Sequence, residues 1–508
     1  MLGYNAVTMT FLELLDGVET LSQRGDSAIT GVQYDSRRVQ PGDLFVAMRG
    51  ESADGNRFLD AAIAQGAAAV VSDSTQPPPR GDLPWARVVH GRRALARLSA
   101  NFYRRPAERL PLTGLTGTNG KTTGSFLVES IFAAAARPTL LVGTIEYHVA
   151  ERVLPAPHTT PEALELNQLF AQGLAAGASE GVMEVSSHAL AQQRIFGMPF
   201  DVAVFTNLTR DHLDFHRTME EYLAAKRVLF EGCGTAPPRV AVLNLDDPAG
   251  EQLAKVSQQG GSRVVTYGLE RGDFHARDLG FGPTGTRFHL ECPEGSVFLH
   301  SSLLGRVNAY NILAAAAAAV ARGCSLEQVS AGVEALRRVP GRFEQVECGQ
   351  PFAVVVDYAH TDDALRNLTA LAREFVGRGG RVLTVFGCGG DRDRAKRPLM
   401  GEAAGRGSDF VVVTSDNPRS EDPQAIRDEA VAGLRPTGTR FTVELDRARA
   451  IALAIAEARP GDIVLIAGKG HEKVQVTRAG AAPFDDVAVA RGVLAAAGYA
   501  AAPAGGRR

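Results

Sequence analysis

The chain has 508 residues, 45% hydrophobic and 22% charged, with a formal net charge of −3 at pH 7. That length exceeds what one ordinary core supports, so about two to four domains are expected, with the composition of a soluble globular protein. The near-balanced charge argues against a nucleic-acid binder but leaves small anionic substrates open, because local arginine clusters hold those inside a neutral protein.

Five cysteines, Cys233, Cys292, Cys324, Cys348 and Cys388, are scattered and never form a CxxC pair. That pattern is neither a disulfide framework nor a zinc site and fits a reducing compartment. The N-terminus has no basic stretch followed by an apolar run, so no signal peptide is expected. The most apolar tract, Ile312 to Ala321, is too short to span a bilayer and reads as a tightly packed buried helix. A cytoplasmic protein is expected.

In chain order, a first segment to about residue 110 holds strand-like runs at Asp43–Ala47 and Ala68–Val71, interrupted by a surface turn at Gln76–Gly81. A second segment, 111–340, opens with an apolar run, a glycine-rich turn and a helix starting at Lys121. Strand patterns at Gly181–Val185, Val202–Phe205 and Val240–Leu243 alternate with helical stretches, which predicts a largely parallel, helix-covered sheet. In the third segment, 341–495, four apolar runs each end in a polar cluster. They are Val354–Val356 into Asp357-Tyr358-Ala359-His360, Val382–Phe386 into Gly387–Arg392, Val411–Val413 into Thr414–Arg419, and Ile463–Ile466 into Gly468–Glu472. Open α/β sheets bind ligands beyond the carboxyl ends of their strands, so this segment is expected to bind one. The end, 496–508, is rich in Ala, Pro and Gly and is expected to be a disordered tail.

Gly117-Thr118-Asn119-Gly120-Lys121-Thr122-Thr123 follows a strand and opens a helix, the context of a phosphate loop. Glycines let backbone N–H groups turn around phosphate oxygens, Lys121 would reach the outer phosphates, and Thr122 would offer a hydroxyl to Mg²⁺. The usual first glycine is displaced: Leu115 stands five positions before Gly120, and Gly114 comes one residue earlier. The alternative is an ordinary helix-capping turn. ATP or GTP follows from the loop; the reaction does not, because kinases, switches and ligases share it.

The loop, with His158-Thr159-Thr160-Pro161, Glu184-Val185-Ser186-Ser187-His188, Asn207–Asp214, Asp357–His360 and Gly468–Glu472, resembles the Mur ligase family in content and order. The likeness runs from about residue 30 to about residue 490. It implies an α/β protein of three domains: a central P-loop parallel-sheet ATPase domain, an N-terminal UDP-binding domain and a C-terminal Rossmann-like domain. It implies an ATP-dependent ligase of peptidoglycan precursor synthesis; a monomer is expected. Its substrates would be UDP-N-acetylmuramoyl-L-alanyl-D-glutamate and meso-2,6-diaminopimelate, with no nucleic acid or membrane as partner.

The resemblance also assigns residues. Thr122 and Glu184 would hold one Mg²⁺ and His212 a ligand position of a second. Lys226, a surface helix lysine on sequence alone, matches a lysine that CO₂ converts to a carbamate (N6-carboxylysine), and a carbamate, unlike an ammonium, ligates Mg²⁺. Glu184 could otherwise be a solvated strand end, and a lone histidine is more often structural. ATP would meet Gly117–Thr123, Asn308, Asn311, Arg342 and Asp357. Ser36, Glu51, Ser52 and Ala53 resemble the uridine region, although taken alone they are turns. Thr159, Thr160, Ser186, Gln192 and Arg194 match positions that hold the muramoyl dipeptide. Asp416-Asn417-Pro418-Arg419 resembles the tetrapeptide of members that take diaminopimelate, with Arg392, Gly468 and Glu472 completing the pocket. Arg419 would pair bidentately with the distal carboxylate, which lysine lacks. Asp362 stands where the family usually has proline, which would loosen a helix start. Two readings compete: a lysine-adding or folylpolyglutamate-type ligase, and a P-loop regulator without ligase chemistry.

Overall fold

The computed structural model describes residues 8–50, 53–76, 81–282, 285–376 and 379–499. Three sheets, each mostly parallel, follow one another along the chain. The first runs, in spatial order, Thr20–Arg24, Trp85–Val88, Ala69–Ser72, Asp43–Ala47 and Gly31–Gln33. Only the Thr20–Arg24 edge is antiparallel. Asp43–Ala47 is buried at every position, as a strand with packing on both faces must be. Pro77 to Arg80 of the expected turn lie outside the described residues; Gln76 and Gly81 beside them are exposed.

The central sheet has eight strands in the order Arg152–Pro155, Glu146–Val149, Thr139–Val142, Glu180–Glu184, Leu112–Thr116, Val202–Phe205, Val240–Asn244 and Arg263–Tyr267. Leu112–Thr116 is flanked by Glu180–Glu184 and Val202–Phe205, both parallel to it. The loops that leave these three strands therefore open side by side. Behind them, helix Lys121–Ala134 packs against helix Arg306–Ala321, in which Ala314 to Ala319 are wholly buried. The alanine tract is the close-packed helix its composition implied; methyl side chains let the two helices approach. A three-stranded antiparallel sheet, His275–Gly282, Gly285–Cys292 and Gly295–Ser301, adds to the same core.

The third sheet is ordered Glu344–Gln345, Ala353–Asp357, Ile463–Ala467, Val382–Phe386, Phe410–Val413 and Arg440–Val443. The four runs that end in polar clusters are adjacent strands. Ile463–Ala467 comes last in the chain yet lies between the first two of them, so the connections diverge there and a crevice opens at the strand ends. The helix at Asp362 is not loosened by the missing proline: the Thr361 hydroxyl accepts from Ala364 N at 3.1 Å, capping it. Tyr499 of the expected tail packs edge-on against Phe352 with ring centres 5.9 Å apart; residues 500–508 lie outside the described residues. Among the described residues no helix is long and apolar enough to cross a membrane.

Candidate functional site

The loop after Leu112–Thr116 turns on Gly117 (φ +150°) and Gly120 (φ +88°), backbone that L side chains rarely adopt. A Cβ on Gly117 would also collide with the Thr206 hydroxyl. The neighbouring loop pins it: Thr118 N donates to Asn207 O at 2.8 Å, Asn119 N to Asn207 Oδ1 at 2.9 Å, and Thr206 Oγ1 to Asn119 O at 2.6 Å. Lys121 Nζ bends back to Gly117 O and Thr118 O, at 2.9 Å each.

Glu184 ends the strand on the other side, and its solvated-end alternative does not hold: the residue is fully buried. Thr122 Oγ1 donates to Glu184 Oε2 at 3.0 Å, while Thr144 gives its N–H to Oε1 at 2.7 Å and its hydroxyl to Oε2 at 2.9 Å. Arg342, from the start of the third segment, donates from Nη2 to Thr122 Oγ1 at 3.2 Å.

Lys226 is not a surface lysine. It is 1% exposed, its Nζ donates to Gly117 O at 2.9 Å, and the ammonium lies 4.3 Å from the Tyr222 ring centre. Burial, and then the charge of Lys121, push its pKa well below the ordinary lysine value, with Asp211 opposing. His212 adopts left-handed backbone (φ +55°) ahead of the short helix Leu213–His216. Burial drives its imidazole down to about 3 against the pull of Asp211, which leaves a neutral ring. Asp211 is itself buried and gathers His212 at 3.3 Å, Lys396 at 3.5 Å and His360 at 3.6 Å, the last two from the third segment. Burial opposes its charge, but His360, His212 and Lys396 together hold it well below the usual carboxylate range.

A cleft between the second and third segments is lined by Asn119, Gly120, Thr122, Thr123, Asn308, Asn311, Arg342 and Asp357. Most of the residues expected to meet ATP thus share one cavity. Asn308 and Asn311 sit one helical turn apart, and Asn311 Nδ2 donates to Asn308 Oδ1 at 3.0 Å. Leu304, Val307, Leu368 and Leu371 supply apolar walls that sequence reasoning missed. The Arg342 guanidinium stacks 4.7 Å from the Tyr358 ring centre, and Asp357 accepts from Phe343 N and Ala359 N at 2.7 and 2.8 Å.

At the strand ends of the third sheet, Asn417 Nδ2 donates to Glu472 Oε2 at 2.7 Å. Lys469 Nζ, wholly buried, reaches Asn417 Oδ1 at 3.0 Å and Glu472 Oε2 at 2.8 Å. Arg419 holds Gly390 O at 2.8 Å, and burial together with the charge of Arg392 lowers its guanidinium pKa. Gly468 (φ +116°) passes close to Asp416, where a Cβ would lie 2.5 Å from the carboxylate. Pro418 lies in the same buried turn.

The Thr159–Thr160 motif joins the Glu184 strand end. Thr160 Oγ1 donates to Glu184 O at 2.8 Å and accepts from Ser186 N at 3.0 Å, and Thr159 Oγ1 lies 3.1 Å from Thr144 Oγ1. Arg194 reaches Thr160 O at 2.7 Å, Gln192 Oε1 at 2.7 Å and Glu162 at 3.0 Å. Glu162 also pairs with Arg92 of the first segment at 3.4 Å. Ser36 is buried in a short turn capped by Asp35, Ala53 is exposed, and Glu51 and Ser52 lie outside the described residues. Thr144, Asp211, His360, Lys396 and Lys469 were missed as site residues. Asp211, His360 and Lys469 stand inside quoted motifs, so position alone could have raised them.

Three family models match in succession: Mur ligase family, catalytic domain over residues 28–103, Mur ligase middle domain over 115–319, and Mur ligase, glutamate ligase domain over 341–470. A UDP-N-acetylmuramoyl-L-alanyl-D-glutamate–2,6-diaminopimelate ligase of Solibacter usitatus is 54% identical over 474 residues, covering 93% of this chain and 94% of that protein. The protein of the same name from Geobacter metallireducens is 46% identical over 498 residues, 94% and 96% of the two chains. A solved structure of a ligase of that name is 35% identical, with a TM-score of 0.69, covering 97% of this chain and all of the other.

Proposed function

This chain belongs to the Mur ligase family, and from that premise we propose that it is an ATP-dependent ligase joining meso-diaminopimelate to UDP-N-acetylmuramoyl-L-alanyl-D-glutamate. The D-glutamate γ-carboxylate attacks the γ-phosphorus of ATP, ADP leaves, and an acyl phosphate results. The amine of diaminopimelate adds to the carbonyl carbon, and the tetrahedral adduct expels phosphate as the amide forms. The observation that carries the reading is the polar cluster at the strand ends of the third sheet, where the charges of Arg392 and Glu472 act in opposite directions on Arg419 and Glu472 keeps part of its side chain open. A ligand carboxylate would offset the two guanidiniums, and a ligand ammonium would find the open part of Glu472, which already accepts from Lys469 and Asn417.

The phosphate loop cradles the triphosphate, with Lys121 swinging from its own loop carbonyls to the outer phosphates. Asn308, Asn311, Arg342 and Asp357 hold the nucleotide across the cleft. Thr159, Thr160, Ser186, Gln192 and Arg194 hold the dipeptide end of the UDP substrate, and Ser36 and Ala53, with Glu51 and Ser52, the uridine end.

Two Mg²⁺ ions fit beside Thr122, Glu184, His212 and Lys226. Thr122 and Glu184 offer buried oxygens already paired at 3.0 Å, and His212 is a neutral imidazole. Bound there, Mg²⁺ would neutralise phosphate oxygens during transfer. Among the described residues no three His, Cys, Asp or Glu side chains converge as a metal group, and a Mg²⁺ here would draw further oxygen ligands from phosphate, water or a carbamate. Lys226 suits carbamylation because its buried amine is held toward the neutral form, which is the form that attacks CO₂.

The protein is proposed to work as a monomer in the cytoplasm. The test is phosphate release with and without UDP-muramoyl dipeptide and diaminopimelate. Release that needs both supports the ligase; slow hydrolysis indifferent to both would identify a nucleotide-driven regulator instead.

A further inference from the structure

The ligase reading leaves Lys469 without a task, yet it is among the most constrained side chains in the third domain. It is wholly buried, and its ammonium closes a triangle: 3.0 Å to Asn417 Oδ1 and 2.8 Å to Glu472 Oε2, with Asn417 Nδ2 2.7 Å from the same Glu472 oxygen. Val476 N adds a second donor to Asn417 Oδ1 at 2.9 Å. Each contact fixes something particular. Two donors on Oδ1 decide which way the Asn417 amide faces, so its NH₂ can only point at Glu472. Two donors on Oε2 lock one oxygen of Glu472 and set the plane of its carboxylate, whose side chain keeps 27% of its surface open. Arg419, near enough for the charge of Glu472 to act on it, donates from its guanidinium to Gly390 O at 2.8 Å, and its backbone N–H donates to Val476 O at 3.0 Å.

A fixed anion and a fixed cation facing one carbon that bears an ammonium, a carboxylate and the chain define three points, enough to distinguish one hand from the other. We propose that Lys469 is a positioning residue that, through the Lys469–Asn417–Glu472 triangle, sets the handedness accepted at the distal stereocentre of diaminopimelate. Lys469 never touches the substrate. It holds Glu472 where the ammonium of the meso isomer, and not that of the L,L isomer, falls while Arg419 takes the carboxylate. The inference rests on the ligase reading.

The experiment compares kcat/KM for the meso and L,L isomers in wild type and Lys469→Met, with KM for ATP and for the UDP substrate and the melting temperature measured alongside. Wild type prefers the meso isomer. Lys469→Met loses at least tenfold in kcat/KM with the meso isomer and much less with the L,L isomer, so the ratio collapses at least several-fold. KM for the other two substrates stays within about twofold. Equal losses with both isomers would overturn the proposal, since that is what a merely structural lysine produces. Should Lys469→Met not fold, Asn417→Ala opens the triangle from its other corner and is read by the same ratio. Failure of the ligase reading looks different: wild type would use neither isomer.

Discussion

Lys121 and Lys226 donate to the same oxygen, the carbonyl of Gly117, each at 2.9 Å. Two ammonium groups on one carbonyl repel, and burial removes the water that would screen them. The proposed carbamylation of Lys226 would reverse its sign and turn the repulsion into attraction. Lys226→Ala should therefore be nearly inactive, and formate or acetate should restore part of the rate by filling the anionic position. A crystallographic map with nucleotide and Mg²⁺ that shows an unmodified ammonium at Lys226 would refute the idea.

Lys121 is proposed as the main protein cation for the outer phosphates. Lys121→Ala should cost at least about 10²-fold in kcat/KM for ATP, the scale of losing one preorganised charge at a phosphoryl-transfer site. Steady-state kinetics on protein whose melting curve matches wild type is the check, and near-normal turnover would misplace ATP.

His148 gives a pH signature away from the chemistry. It lies 2.7 Å from Glu129 and 3.0 Å from Glu146. Burial opposes its charge, but the two carboxylates lift its pKa to about 9. The folded value is above the unfolded one, so the stabilisation is complete below about pH 6.5 and is lost as pH rises through 9. It should amount to a few kcal/mol at most, on the order of 2–3. Thermal melts at pH 6 and 9.5 should show a larger drop for wild type than for His148→Gln; parallel drops would remove the effect.

Much of this fold was legible because buried parallel strands announce themselves as apolar runs: Val202–Phe205 and Val382–Phe386 were placed to the residue. The phosphate loop was legible from glycine spacing between a strand and a helix. On residue pattern alone Lys226 reads as a surface lysine because its helix, Met219–Glu231, carries Glu220, Glu221, Arg227 and Glu231, which suggest a solvated face. The signal was nonetheless present, since Tyr222, Lys226, Leu229 and Phe230 form one buried stripe at helical spacing. The meeting of Asp211 with Lys396 and His360 had no local trace, because it depends on how two domains approach. Lys469 was hidden by its glycine-rich surroundings, which suggest a turn rather than a buried cation.

The most direct measurement of the central claim is a matched kinetic series, diaminopimelate against lysine, on wild type and Arg419→Ala. A charge-assisted pair contributes about 1.5–3 kcal/mol, roughly tenfold to more than a hundredfold in affinity. The account predicts that wild type takes diaminopimelate and uses lysine poorly. Arg419→Ala should raise KM for diaminopimelate by that factor, leave KM for ATP nearly unchanged, and still not become a good lysine ligase. Wild-type protein that ligates lysine as efficiently as diaminopimelate would contradict it.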